Sequence, residues 1–180
     1  MKSRNIFLIG FLIIASLFTT CAISSPREDA IKSGFLYNFA RYSQGEWFNP
    51  ETNTRYTICS FSEQFTDAAT QTLEKLTIKN HRIVIKHLTT KRENISDCDT
   101  LYISKNDIHK WHDLNDSKMI THAMLVGEYD GFLDAGGHIN FYIVGGKVRF
   151  EANPVKLKNA GINMSSKVLR LGRVYKGDQE

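Results

Sequence analysis

After one apolar run near its start, the sequence has no second hydrophobic stretch approaching the roughly 20 residues that a membrane-spanning helix needs. The body of the chain is therefore expected to be soluble. Basic residues are scattered rather than grouped, which gives nucleic-acid binding little support. No G-x-S-x-G motif occurs, and cysteines are few, at three. A hydrolase needs a nucleophile with a positioned base, and no such pair can be assembled from the sequence. No H-E-x-x-H accompanies the histidines, and nothing calls for a cofactor.

The apolar run is Ile6 to Phe18, broken only by Gly10 and Ser16. Lys2 and Arg4 precede it, and the small residues Ala22 and Ser24 follow at the spacing a signal peptidase reads. Residues 1–24 are expected to be a cleaved secretory signal. A retained N-terminal anchor is the alternative, and Cys21 lies in a poor match to a lipidation site. Residues 25–180 then form a single domain, large enough to bury a core. Removing Lys2 and Arg4 lowers the net charge from +4 to about +2. Cys59 and Cys98 remain. On an exported domain the simplest expectation is one disulfide, closing a loop of about 39 residues and worth roughly 4 kcal/mol. Two buried free thiols or, less simply, a metal site stay open.

Local signals alternate between helix and strand. Ser25 caps, Pro26 suits the first helical position, and Glu28 completes a capping box. Ile31, Phe35, Phe39 and Tyr42 recur at helical spacing. The segment RYTICSF reads as a buried strand. Residues 62–77 read as a helix with Phe65, Ala69, Leu73 and Leu76 on one side. HRIVIKHL, CDTLYIS and MITHAMLVGE read as further strands, with a polar helical turn after the first and a helix DIHKWHDLND, capped by Asn106 or Asp107, before the last. Near the C-terminus, Ile139, Phe141 and Ile143 alternate with polar residues, as do Val148, Phe150 and Ala152. Gly145-Gly146 joins these runs as a hairpin turn. Gly136-Gly137 precedes a strand rather than following one, the wrong order for a phosphate loop. Asn153-Pro154 starts a helix that Gly161 ends, and SSKVLRLGRV reads as a last short helix with Val168, Leu169 and Leu171 inward. The sum is an α/β fold, a mixed sheet, mostly parallel with a C-terminal antiparallel hairpin, flanked by helices.

Candidate site residues are few. His109 and His112 stand at i, i+3, a spacing that can present two metal ligands, but beside Trp111 they read as a solvated face plus a packing aromatic. Asp107, Asp113 and Asp116 read as surface charge on the same helix. Trp47 and Phe48 lie in a loop expected to be exposed. They either anchor a partner or fold back over the first helix. Arg149 and Glu151 share the polar face of the hairpin, where they pair with each other or line a small pocket with Asn163 and Ser165.

Two segments resemble a known family. AIKSGFLYNFARYSQGEW resembles the opening helix of YfiR-like proteins, A-x-x-x-F-L-Y-N-F-A-K/R-x-x-x-W-P. GGHINFYIVGGKVRFEANPVKLKNAGINMSSKVLRLGRV resembles their C-terminal signature, and the likeness runs from about Ala30 to Val174. It implies a small, non-enzymatic periplasmic regulator that represses an inner-membrane diguanylate cyclase through the cyclase's periplasmic domain, controlling cyclic-di-GMP and biofilm formation. It also implies sequestration by an outer-membrane OmpA-like lipoprotein and a possible homodimer, and it maps the family's bridge onto Cys59 and Cys98. Two departures stand out. A second cysteine pair found in some members is missing, and W-P becomes Trp47-Phe48-Asn49-Pro50. Members also occur beside other sensor proteins, so the partner is left open, and a periplasmic small-molecule binding module is the alternative reading.

Overall fold

The computed structural model describes residues 25–90, 95–116 and 122–177. The expected signal segment, Cys21 and the first part of MITHAMLVGE lie outside these residues.

The first helix, α1 (Pro26–Arg41), begins as its sequence dictates: the Ser25 side chain accepts from the Glu28 amide and Pro26 occupies the first turn. Its buried face is shifted from the expected stripe. Asp29, Lys32, Ser33, Leu36, Phe39 and Ala40 point inward, whereas Ile31 and Tyr42 are 43% and 48% exposed. A two-residue strand β1 (Ser43–Gln44) follows, and after a loop comes β2 (Arg55–Ser60). Helix α2 (Glu63–Leu73) is capped by Ser62, whose Oγ accepts from the Phe65 amide. It stops short of the expected 77. Thr77 and Ile78 instead form β3 (Thr77–Ile78), paired antiparallel with β4 (His81–His87) across a two-residue turn in which Lys79 and Asn80 both have positive φ. Leu76, expected on the buried side, is 37% exposed.

A 3-10 turn at Ile95–Asp97 leads into β5 (Thr100–Ile103), and another at Lys105–Asp107 opens α3 (Ile108–Asp116). Then come β6 (Met124–Gly127), β7 (Ile139–Val144), β8 (Lys147–Ala152), α4 (Pro154–Asn159), β9 (Asn163–Met164), α5 (Ser166–Leu169) and β10 (Arg173–Val174). Val168 is buried, but Leu171, expected inward, is 71% exposed because α5 ends at Leu169.

The main sheet has eight strands in the order β10-β8-β7-β6-β5-β2-β4-β3, with β1 and β9 as a separate antiparallel pair. β7–β8 and β4–β3 are antiparallel, and the other pairings are parallel. This is the mixed, mostly parallel α/β sheet expected. Alternation along the central strands supplies two cores. One holds Tyr56, Ile58, Tyr102, Met124 and Val126, together with Leu36, Phe39 and Phe65 from α1 and α2. The other holds Cys59, Leu101, Ile103 and Leu125 with Trp111 and Leu114 from α3. Strands buried on both faces are what a parallel sheet covered by helices requires.

The two glycine pairs have different reasons to exist. Gly145 and Gly146 adopt φ of 58° and 70°, the paired left-handed conformation of a type I′ hairpin turn. At Gly137 a Cβ would lie 2.2 Å from the Phe132 ring, so this glycine lets an aromatic pack directly on the backbone.

Candidate functional site

Cys59, at the fifth position of β2, is bonded to Cys98, with 5.8 Å between Cα atoms. Both sulfurs are buried in the α3-side core, and the bridge ties β2 to the turn that feeds β5. Next to it, Asp99 anchors that turn. Its amide donates to Thr57 O at 2.9 Å, and its Oδ2 accepts from the Thr57 amide at 2.7 Å. Burial pushes the Asp99 carboxyl up to about 6, against the lowering effects of the Thr57 amide and Arg55.

Trp47 and Phe48 are not exposed. They are 5% and 1% accessible and belong to the main core. The Trp47 Nε1–H donates to Asp99 O at 3.2 Å, Phe48 meets Tyr56 edge-on at 4.9 Å between centroids, and Lys79 Nζ lies 4.8 Å from the Trp47 ring. The exposed-loop expectation is corrected here. The loop at 49–53 turns the chain back, closed by the Asn53 amide donating to Asn49 O at 3.0 Å, and the two rings pack against Tyr56, Lys79 and His81.

The expected four-residue pocket is not assembled either. Arg149 lies exposed on β8 opposite Tyr142. Glu151 accepts from Asn140 Nδ2 at 3.3 Å, and its ion-pair partner is Arg173 at 3.9 Å rather than Arg149. Asn163 lines a separate cavity of about 530 Å³, beside Gly45, Glu46, His122 and Lys158. Ser165 caps α5, accepting from the Lys167 amide at 3.3 Å.

His109 and His112 are exposed on α3, and among the described residues no group of three or more potential ligands could hold a metal ion. Asp107 is not surface charge. It is buried, accepts from Ser104 Oγ at 2.5 Å and pairs with Lys110 at 2.9 Å. Lys110 Nζ also sits 4.8 Å from the Phe61 ring. These side chains cross the carboxyl ends of β2 and β5, where the chain reverses direction across the sheet. That is the crevice in which open α/β sheets ordinarily receive ligands.

Sequence reasoning missed the ionic cluster above β6. Lys32 is 1% exposed. Its Nζ donates to Glu128, lies 2.6 Å from Glu28 Oε1, and is 3.8 Å from Asp29 Oδ1. Gln64 Nε2 donates to Asp29 at 2.6 Å, and the Lys105 amide donates to Glu128 Oε1 at 3.1 Å. Burial alone would lower the Lys32 pKa, but Glu128 and Glu28 outweigh it and raise the pKa above its usual value. The spacing of Lys32 from Glu28 and Asp29, at i,i+4 and i,i+3, was visible in the sequence. Nothing local pointed to Glu128.

The surface also carries an open groove of about 500 Å³ between the N-terminal half of α1 and the tip of the β7–β8 hairpin. Ile31, Phe35, Ile143 and Val148 line it, with Arg27, Lys147 and Arg149 beside them. Of these, Ile31 is 43% and Ile143 50% exposed.

Among solved structures, the chain is similar to the ABC domain in complex with L-Trp from Streptococcus pneumonia, at 10% identity and a TM-score of 0.49. The match covers 82% of this chain and 60% of that one. No curated protein matches. The YfiR/HmsC-like family model matches residues 29–173, from the first turn of α1 into β10 and across the bridge, the hairpin and the capped C-terminal helices. This chain belongs to the YfiR/HmsC-like family.

Proposed function

We propose that this chain is a non-enzymatic periplasmic protein that represses an inner-membrane diguanylate cyclase by binding the cyclase's periplasmic domain. Membership of a family of periplasmic regulators of diguanylate cyclases carries the reading. An N-terminus with the pattern of an export signal and a disulfide between Cys59 and Cys98, a bond suited to an oxidising compartment, agree with it. Repression follows if the protein binds the inactive arrangement of the cyclase more tightly than the active one. About 1.4 kcal/mol of difference gives a tenfold shift. An outer-membrane OmpA-like lipoprotein that captures the protein would release the cyclase by removing its repressor.

The test is deletion of the gene followed by measurement of cellular cyclic-di-GMP. A rise supports repression, and an unchanged level under several growth conditions removes it. A second reading, a periplasmic small-molecule binding module, is favoured by the polar cavity that Asn163, His122, Lys158 and Glu46 line. Unchanged cyclic-di-GMP together with a ligand-induced rise in melting temperature would select it.

A further inference from the structure

We propose that the groove between α1 and the β7–β8 hairpin is a docking site for an acidic, amphipathic segment of a protein partner. The assignment rests on the reading of this chain as a regulator that works by protein contact. Three observations point to that occupant. The floor is apolar and open: Ile31, Phe35, Ile143 and Val148 line it, with Ile31 and Ile143 at 43% and 50% accessibility. Such a floor receives an amphipathic segment through the residues on its apolar side.

The rim is cationic and uncompensated. Arg27, Lys147 and Arg149 make no ion pair with a carboxylate among the described residues. The acid beside them, Glu28, is held by Lys32 at 2.6 Å. Complementary charge on a partner would steer encounter and fix register.

The groove's shape and charge argue against the other occupants. A second copy meeting this face across a two-fold axis would set the same three cations against each other. A membrane surface does not follow a concave cleft between a helix and a hairpin, whereas a single extended or helical segment does. The loop and tip are built to hold the shape: the I′ turn at Gly145-Gly146 fixes the hairpin, and Phe35 packs against Phe141 and Phe150 at 5.8 and 5.7 Å.

The test uses ¹⁵N-labelled protein purified from the periplasm and three probes. These are an amphipathic Leu/Glu helix about 18 residues long, the same peptide with Lys for Glu, and phosphatidylglycerol vesicles. The acidic peptide is expected to shift the amide signals of Ile31, Phe35, Ile143 and Val148, more weakly as salt rises. The triple variant Arg27→Glu/Lys147→Glu/Arg149→Glu should weaken that binding at least tenfold, while Lys75→Glu/Lys176→Glu leaves it unchanged. Equal binding of the lysine peptide, shifts with vesicles alone, or no shift at all overturns the proposal. A cellular arm separates the two readings. If gene deletion leaves cyclic-di-GMP unchanged, the repressor reading falls and the peptide result stands on its own. If deletion raises it and the folded triple variant still restores the low level, the groove assignment falls.

Discussion

The Trp47 indole donates to the carbonyl oxygen of Asp99, 52 residues away, and the same oxygen accepts from the Met124 amide at 2.9 Å. One backbone atom thereby joins the loop after β1 to the start of β5 and to β6. Replacing Trp47 with Ala removes both the hydrogen bond and a buried ring, and is expected to cost about 3–5 kcal/mol. Trp47→Phe keeps most of the packing and leaves Asp99 O its Met124 donor, so its cost should be nearer 1–2 kcal/mol. Urea unfolding of the two variants measures the difference, and a Trp47→Phe variant as stable as the wild type would contradict a role for the indole N–H.

Loss of the bridge is a second expectation. Cys59→Ala/Cys98→Ala should lower stability by about 4 kcal/mol in the chain-entropy model. Reductant should have the same effect on the wild-type protein and none on the variant, as read by melting temperature with and without dithiothreitol.

Lys32 is the buried cation between the carboxylates of Glu28, Asp29 and Glu128. Lys32→Ala leaves Glu128 and Asp29 buried without their cation and should cost about 3–5 kcal/mol. Because the folded-state pKa of Lys32 is raised, its contribution is complete below the ordinary lysine value of about 10.4. It is lost as pH rises through the folded-state value. Stability of the wild type should therefore fall in alkali, and a Lys32→Met variant should show a flatter alkaline limb in denaturation curves.

In acid, two groups act in opposite directions. Burial, followed by the nearby Lys156, holds His138 at about 4. Its Nδ1 accepts from the Leu125 amide at 3.0 Å only when neutral. The unfolded chain binds this proton first, so stability is lost as pH falls from about 6.5 through the folded-state value of about 4. Asp99 has its folded-state value raised to about 6, above the ordinary carboxylate value of about 3.9. Its contribution favours the folded state in acid and is lost as pH rises between those two values. His138→Asn should flatten the loss of stability below pH 6, and Asp99→Asn should steepen it. Melting temperatures between pH 4 and 7 read both slopes.

The hairpin turn offers a test of backbone chemistry alone. No heavy atom lies within 4 Å of a Cβ built at Gly145 or Gly146, so any cost of substitution comes from the positive φ. Gly145→Asn should be nearly neutral, since Asn tolerates the left-handed region, while Gly146→Val should lose about 1–2 kcal/mol.

Sequence reasoning succeeded where the cause is local. Ser25-Pro26 and Asn153-Pro154 start helices because a side-chain oxygen and a fixed φ act within one turn. It failed where the cause lies elsewhere in the chain. The apolar residues of α1 predicted the stripe Ile31–Phe35–Phe39–Tyr42, yet Lys32 and Asp29 are buried and Ile31 and Tyr42 are not. The charges were drawn inward by Glu128 and Gln64, residues that the helix meets only after folding. Trp47 and Phe48 looked like loop aromatics for the same reason, because their neighbours Tyr56, Lys79 and Asp99 arrive from three other segments.

By itself, the sequence determined the α/β alternation, the helix starts and the Gly145-Gly146 hairpin. Each of these follows from periodicity or a local turn conformation. Only the tertiary structure decided the strand order, the burial of Lys32 and Trp47, and the groove between α1 and the hairpin tip. Those depend on which distant surfaces meet, and the free energy of burying a ring or a charge is set by the partners found there rather than by the residue's own neighbours along the chain.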